Sequence, residues 1–285
     1  MNMSIDLSII IVNYNTKELT LSSIFSVRKF TKNINYEIIV VDNGSTETLT
    51  ESKDYKLIKS NENLGFAGGN NLGLKKAQGK YLLLLNSDTL IHNNVIGEMM
   101  DYLDKNSEIG IATCALKGKD GKLQSNGGYF PTISSVFSWM MIQDLPFIDN
   151  IIQPFHPKIA FYTKSRELDW VTGAFLLTRR EVINQIGYLD DDYFMYVEDT
   201  DFCFRAKKKG WGIFYNADFS ITHLGGASSA KEFPIISEFK NLKIFYKKHY
   251  PNQQYNILRI YLKLGSILRM ILVSPKIYAK AFREI

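Results

Sequence analysis

Three acids in four residues stand in the run Tyr196-Val197-Glu198-Asp199-Thr200-Asp201. Carboxylates this close raise one another's pKa, which poises one of them to take a proton as a general base. Acids that open a helix also complement its dipole, and Lys207, Lys208 and Lys209 would complement the other end. Another acid, Asp88, closes a run of four leucines beside Asn86. An oxygen ligand there could hold Mg²⁺ or Mn²⁺, and an aspartate there also suits a turn or cap. His223 precedes Leu224-Gly225-Gly226. A lone histidine is more often structural, but one at a strand end beside glycines could complete a metal site. His92, His156 and His249 have no such setting and read as structural. The stretch Gly65-Phe66-Ala67-Gly68-Gly69-Asn70 follows a strand and opens a helix, the setting of phosphate binding at a helix N-terminus. It lacks the dinucleotide fingerprint and the P-loop lysine, so a tight connection is the plainer reading.

The elements that must position these residues alternate in type. Residues 7–12 read as a buried strand, and Thr16 can cap a helix through Phe30. A second strand over 37–41 ends in Asp42-Asn43-Gly44, and a short third covers 56–60. Residues 65–71 read as a loop, with Asn70 capping a helix that Gly79 ends. A fourth strand over 81–85 ends in Asn86-Ser87-Asp88, and 92–106 reads as a helix. This alternation predicts βαβ units and an α/β fold with a mostly parallel sheet flanked by helices. Ligands of such sheets bind beyond the carboxyl ends of the strands, where Asn13-Tyr14-Asn15 joins the two polar ends already named. Residues 118–168, with four prolines, read as a lid or binding loop. Beyond them come a strand over 169–178, helices over 180–186 and 198–209, and short strands over 211–215 and 220–223.

The chain has 285 residues, 45% hydrophobic and 22% charged, with a net charge of only +5. That excludes a disordered chain. Two cysteines make neither a disulfide framework nor a thiolate cage, and they fit a reducing compartment. No signal peptide or spanning helix is legible, so the chain is expected to stay on the side of the membrane where it is made. The charge is uneven. Residues 240–285 hold ten Lys or Arg and one acid, while the rest is net acidic. Within that tail, Arg259, Lys263, Ser266 and Arg269 share one side of a helix, and Ile260, Leu264, Ile267, Leu268 and Ile271 the other. Two readings stand level: a helix on an anionic membrane surface, or a helix docked on the body with its basic face in solvent. No nucleic-acid motif appears. The expected division is a domain over 1–239 and a basic amphipathic extension over 240–285.

Taken together the motifs resemble the family 2 glycosyltransferases of the GT-A fold, across residues 7–229. The resemblance rests on residues 8–16 (SIIIVNYNT), 41–46 (VDNGST), 63–71 (NLGFAGGNN), 85–89 (LNSDT), 170–175 (WVTGAF), 196–201 (YVEDTD) and His223. The wording is closest to the rhamnosyltransferase-like branch, which builds O-antigen, capsule and other cell-surface glycans. The resemblance implies an inverting, metal-dependent transfer from a nucleoside-diphosphate sugar. Tyr14 and Asp42 would contact base and ribose, and Asn70 and Asn71 would line the nucleotide pocket. Asp88 would bind Mg²⁺ or Mn²⁺ as the second acid of an Asp-x-Asp motif whose first position is Asn86 here. His223 matches a metal ligand of some relatives. Asp199, beside Glu198, would be the base, and Trp170 and Gly173 would shape the acceptor side.

A dTDP-linked rhamnose is the first donor the resemblance suggests, and UDP-linked sugars the second. The acceptor would be a glycan or a polyprenyl-diphosphate-linked sugar at the inner face of the cell membrane. Two other readings compete. A nucleotidyltransferase should carry a basic residue in its glycine stretch, and residues 65–71 have none. A non-catalytic nucleotide-sugar-binding relative should have lost Asp88 or Asp199, and both are present.

Overall fold

The computed structural model describes residues 5–143, 151–225 and 233–285. Four parallel strands form one half of a single mixed sheet. They are β1 (Leu7–Asn13), β2 (Tyr36–Asn43), β3 (Lys56–Ser60) and β4 (Tyr81–Leu85), in the order β3-β2-β1-β4. β1 and β4 are buried along almost their whole length, which is why they read as continuous apolar runs rather than alternating ones. Helix α1 (Lys17–Phe30) follows β1 as expected.

The glycine stretch is not a loop. It is helix α2 (Gly65–Leu74). Glycine disfavours helix, but here its missing side chain is what lets the helix lie on the sheet. A Cβ on Gly73 would stand 2.6 Å from Ile10 Cγ2, and one on Gly69 would stand 2.9 Å from Val12 Cγ1. Asn70 therefore sits inside a helix instead of capping one.

The other half of the sheet is mixed. After β5 (Thr89–Leu90) and α3 (Val95–Lys105) comes β6 (Ile109–Lys117), a buried strand that no expectation covered. Residues 118–168 hold a short α4 (Ile133–Phe137) and the two-residue β7 (Arg166–Glu167). β8 (Phe175–Arg179) is antiparallel to both β4 and β6. Residues 169–174 approach it without joining the ladder. Helices α5 (Arg180–Ile186) and α6 (Glu198–Lys208) match their expected spans. The two strands expected at 211–223 are one, β9 (Gly212–His223), with its register broken between Asn216 and Ser220.

Three helices close the chain: α7 (Phe233–His249), α8 (Asn252–Leu272) and α9 (Pro275–Arg283). The boundary at 239/240 falls inside α7. Phe239, Leu242, Phe245 and Tyr246 of α7, Leu258 and Leu262 of α8, and Tyr278 and Ala281 of α9 join the core cluster that also holds Trp170 and Phe202. The C-terminal helices thus share the core of the body. Among the described residues, no helix is long and apolar enough to cross a membrane.

Candidate functional site

A cavity of about 540 Å³ opens at the carboxyl ends of β1, β2 and β4, where a parallel sheet places its ligands. Tyr14, Asn70, Asn86, Asp88, Gly173, Glu198, Asp199 and His223 all line it. These eight residues come from six segments spread over 210 positions, brought together by the sheet order.

Asp42, Asn71 and Trp170 do not line the cavity, and their side chains are held elsewhere. Asp42 Oδ1 accepts from Asn13 Nδ2 and the Ser45 amide, and its Oδ2 accepts from the Leu49 amide at 3.1 Å. It pins the loop after β2, while its neighbour Asn43 reaches the cavity. Asn71 exchanges hydrogen bonds with the Leu189 backbone, at 2.8 and 3.1 Å, and donates to Asp191. Trp170 is buried against Phe155, with its indole N–H donated to the Tyr129 carbonyl. Asp42 was expected to contact base or ribose, Asn71 to line the nucleotide pocket and Trp170 to shape the acceptor side; the structure places all three behind the cavity wall, which they support.

The N-terminus of α2 is not a phosphate cradle. The Leu64 amide donates to Asn43, the Gly65 amide to Asn63, and the Phe66 amide to the Phe194 carbonyl. Gly65 has φ +73°, and a Cβ there would lie 2.0 Å from Phe194 O. Only glycine fits that turn. The plainer reading of a tight connection holds, and a triphosphate-binding loop is excluded at this place.

Asp88 and His223 face each other across β5 and β9, which pair antiparallel. Their nearest atoms, Oδ1 and Nε2, are 3.4 Å apart. Gln124 decides what that approach means. Its Nε2 donates to the His223 carbonyl, so its Oε1 is the atom left to accept from His223 Nδ1 at 2.7 Å. With the proton on Nδ1, the neutral ring turns a lone pair from Nε2 toward a carboxylate oxygen. Two acceptors so placed could share a cation, either a proton on the ring or a divalent metal. Metal-ligating histidines are fixed in this way, by donating their other N–H. A carboxylate and an imidazole also suit Mg²⁺ or Mn²⁺ as a donor set. Burial works to raise the Asp88 carboxyl, but His223 and the Gly225 amide outweigh it and hold it below the usual range. Asn86 Nδ2 stands 3.3 Å from the same Nε2, so it adds a donor where an acid would have added a ligand. Among the described residues no cluster of three potential ligands occurs.

The acid pair opens α6. Glu198 is 4% exposed, and its Oε2 has no hydrogen-bond partner. Burial and the neighbouring Asp199 push its carboxyl well above the usual range. Asp199 is surrounded by protein on most sides yet keeps part of its carboxylate open to the cavity. Burial pushes it up to about 6, against the amides of Thr200 at 2.7 Å and Gly173 at 3.3 Å, which favour the ionised form. The nearby charge of Glu238 on α7 adds to the rise. The third acid is different. Asp201 is fully buried between His249, at 2.6 Å, and Arg205, at 2.7 Å. Burial would raise it, but those two partners hold it low. It anchors α6.

Two site residues were invisible in the sequence. Gln124 lies in an irregular stretch that carries no period. Asn241 sits in the segment assigned to the extension, yet its Nδ2 donates to the carbonyls of Met195 and Tyr196, at 2.9 and 2.8 Å. Tyr196 and Val197 both have φ +71°. Two consecutive left-handed non-glycine residues, one β-branched, are strained. Asn241 braces that turn just before the acid pair.

An α/β sheet whose strand ends set a carboxylate–imidazole pair and a buried acid pair around one cavity has the layout of a GT-A glycosyltransferase. The comparisons agree. The glycosyl transferase family 2 model matches residues 8–187, and the chain belongs to that family. It is a glycosyltransferase. It is 25% identical over 282 residues to the low-salt glycan biosynthesis hexosyltransferase Agl10 of Haloferax volcanii, covering 93% of this chain and 85% of that one. It is 22% identical over 220 residues to an N-acetylglucosaminyl-diphospho-decaprenol L-rhamnosyltransferase of Mycobacterium tuberculosis, covering 68% of each. The mannosyltransferase PcManGT of Pyrobaculum calidifontis, solved with GDP-Man and Mn²⁺, superimposes with a TM-score of 0.58 at 14% identity, covering 99% of this chain and 74% of that one. That likeness shows the fold.

Proposed function

We propose that this glycosyltransferase moves a hexose, rhamnose first among the candidates, from a dTDP- or UDP-linked donor to a hydroxyl of a glycan or polyprenyl-diphosphate-linked acceptor, with inversion. The reaction would serve cell-surface polysaccharide synthesis at the inner face of the membrane. The names of the glycan-building and decaprenol-linked relatives support that setting.

One observation carries the proposal: a partly open carboxylate with a pKa of about 6 shares a cavity with a carboxylate–imidazole pair. Asp199 removes the proton from the acceptor hydroxyl as its oxygen bonds to the anomeric carbon. The carbon–oxygen bond to the diphosphate breaks on the opposite face, which inverts the centre. The amides of Gly173 and Thr200 hold the Asp199 carboxylate in place before the proton arrives. Glu198, pushed toward its neutral form, keeps a second charge away from the base. Asp88 and His223 would hold Mg²⁺ or Mn²⁺, which when bound would supply positive charge to offset that of the departing diphosphate. Tyr14, Asn70 and Asn86 would face the nucleotide, and Gly173 the acceptor.

The test is a donor panel with Mn²⁺ and a soluble acceptor, the anomeric configuration of the product being read by NMR. An inverted linkage from dTDP-rhamnose, abolished in Asp199→Asn, is expected. A retained configuration, or full activity in that variant, would overturn the mechanism.

A further inference from the structure

The outer face of α8 is apolar, and the structure leaves it uncovered. Ile260, Leu264, Ile267 and Ile271 are 55, 47, 47 and 78% exposed. With Ile257 before them, they recur every three or four residues along about 21 Å of one helix face. Leu272 and Val273, also exposed, carry the stripe into the turn before α9. Singly exposed apolar residues are ordinary, but a continuous stripe marks an interaction surface.

The helix cannot roll this stripe inward, because its opposite face is taken. Leu258, Leu262 and Ser266 are fully buried, and a Cβ on Gly265 would stand 2.4 Å from Met140 Cε. Arg259 donates to the Ile285 carbonyl at 3.1 Å, and Arg269 to the Trp139 carbonyl. The face expected to be basic and solvated is therefore the docked one. Its arginines serve the interior. Exposed positive charge comes from the neighbouring helices: Lys276, Lys280 and Arg283 on α9, and Lys240 and Lys247 on α7. α8 itself contains no acid.

We propose that this face lies on an anionic lipid bilayer, with the α8 stripe in the acyl boundary and the cations of α7 and α9 among the headgroups. A bilayer offers an apolar layer and a negative plane side by side, the two complements this surface needs. A second copy of the chain does not. Pairing two stripes would bring together two segments of ten cations and one acid each. As the meeting place with a lipid-linked acceptor, the surface rests on the proposed function. Its chemistry stands without it.

The test is flotation of the full chain, without nucleotide, on phosphatidylcholine vesicles with and without phosphatidylglycerol, at low and high salt. Wild type should float with the phosphatidylglycerol vesicles and be released by salt. Ile260→Gln/Leu264→Gln/Ile271→Gln should lose at least about tenfold in binding. Lys276→Gln/Lys280→Gln/Arg283→Gln should bind more weakly and with a shallower salt dependence. Unchanged melting temperatures would show that both variants fold. Wild type that never floats, or a stripe variant that floats as well as wild type, overturns the proposal. So does a lipid-independent dimer that the stripe variant dissolves. Donor-induced thermal shifts on the same samples separate the two readings. A shift without flotation removes only the membrane face, and flotation without a shift removes only the sugar-transfer site.

Discussion

Replacing Asp199 by Asn should abolish transfer and at the same time stabilise the fold, increasingly so as pH rises. The Asp199 carboxyl titrates at about 6 in the folded chain against 3.8 ordinarily. Between those values the folded state keeps a proton that the unfolded state has released. Stability therefore falls as pH rises through this window, and the full penalty is present above about pH 6. At 1.36 kcal/mol per decade the gap corresponds to about 3 kcal/mol, and the partial opening to the cavity trims this to roughly 1–3 kcal/mol. Asparagine never ionises, so it escapes that penalty. It also loses one good acceptor for the Gly173 or Thr200 amide, a loss of about 1 kcal/mol that does not change with pH. The decisive quantity is thus the change in the difference between variant and wild type. Melting curves at pH 4.5 and pH 8 should show the variant gaining roughly 2–8 °C on wild type between the two. In wild type, kcat/KM should climb with unit slope on the acid side and level off above about pH 6, while the variant falls by at least about a hundredfold. A melting difference that is the same at both pH values would refute the idea that burial raises the carboxyl at position 199.

Gln124→Leu removes the acceptor that fixes the His223 ring, and Mn²⁺ affinity should fall about 10- to 100-fold in a calorimetric titration while the melting temperature barely moves. Asn241→Ala leaves the carbonyls of Met195 and Tyr196 without their donor. It should cost about 1–3 kcal/mol and lower kcat more than it raises the donor KM, since the brace supports the acid pair and not the nucleotide wall. In this case Asn241→Asp should not rescue, because a carboxylate cannot donate to a carbonyl. Gly65→Ala forces a Cβ onto Phe194 O in a left-handed turn, and loss of at least about 2 kcal/mol should appear in denaturant unfolding.

The first half of the chain was legible because its signals are local. The buried run at 7–12 and the leucines before Asn86 are legible from their own apolar runs, and α1 does begin after Thr16, although the Thr16 hydroxyl bonds Asn13 and Ser87 and caps no helix amide. α5 and α6 were legible for the same reason, since Gly187 and Gly210 end them. The glycine stretch misled because propensity opposes helix there. The tertiary packing of Gly69 and Gly73 on β1 overrides that preference, and packing partners are not written beside the residues they touch. The site divides the same way. Asp88, Asp199 and His223 announce themselves by type, whereas Gln124 acts only through His223 and Asn241 only through two backbone carbonyls. Asp42 and Asn71 lie behind the cavity wall because polar residues also pin loops: Asp42 lies at the end of a strand whose neighbouring residues point to opposite sides, and Asn71, inside α2, holds the Leu189 backbone. For α8, the period is the same whichever face docks. The burial of Leu258 and Leu262 and the approach of Gly265 to Met140 show which one does.

The C-terminal helices tie these strands of argument together. A buried acid pair after two left-handed residues is a site held against its own strain, and strain of that kind persists only where surrounding contacts over-determine it. Here the contacts come from α7, through Asn241 on the turn, His249 on Asp201 and Lys248 on Asp190 and Asp192. α7 packs on α8, and α8 carries the apolar stripe. The element that braces the acid pair is therefore continuous with the element proposed to face the bilayer. It follows that truncation before α7 should not yield a soluble minimal enzyme. It should expose the core around Phe239 and Phe245, release the turn at Tyr196 and Val197, and eliminate activity together with membrane binding.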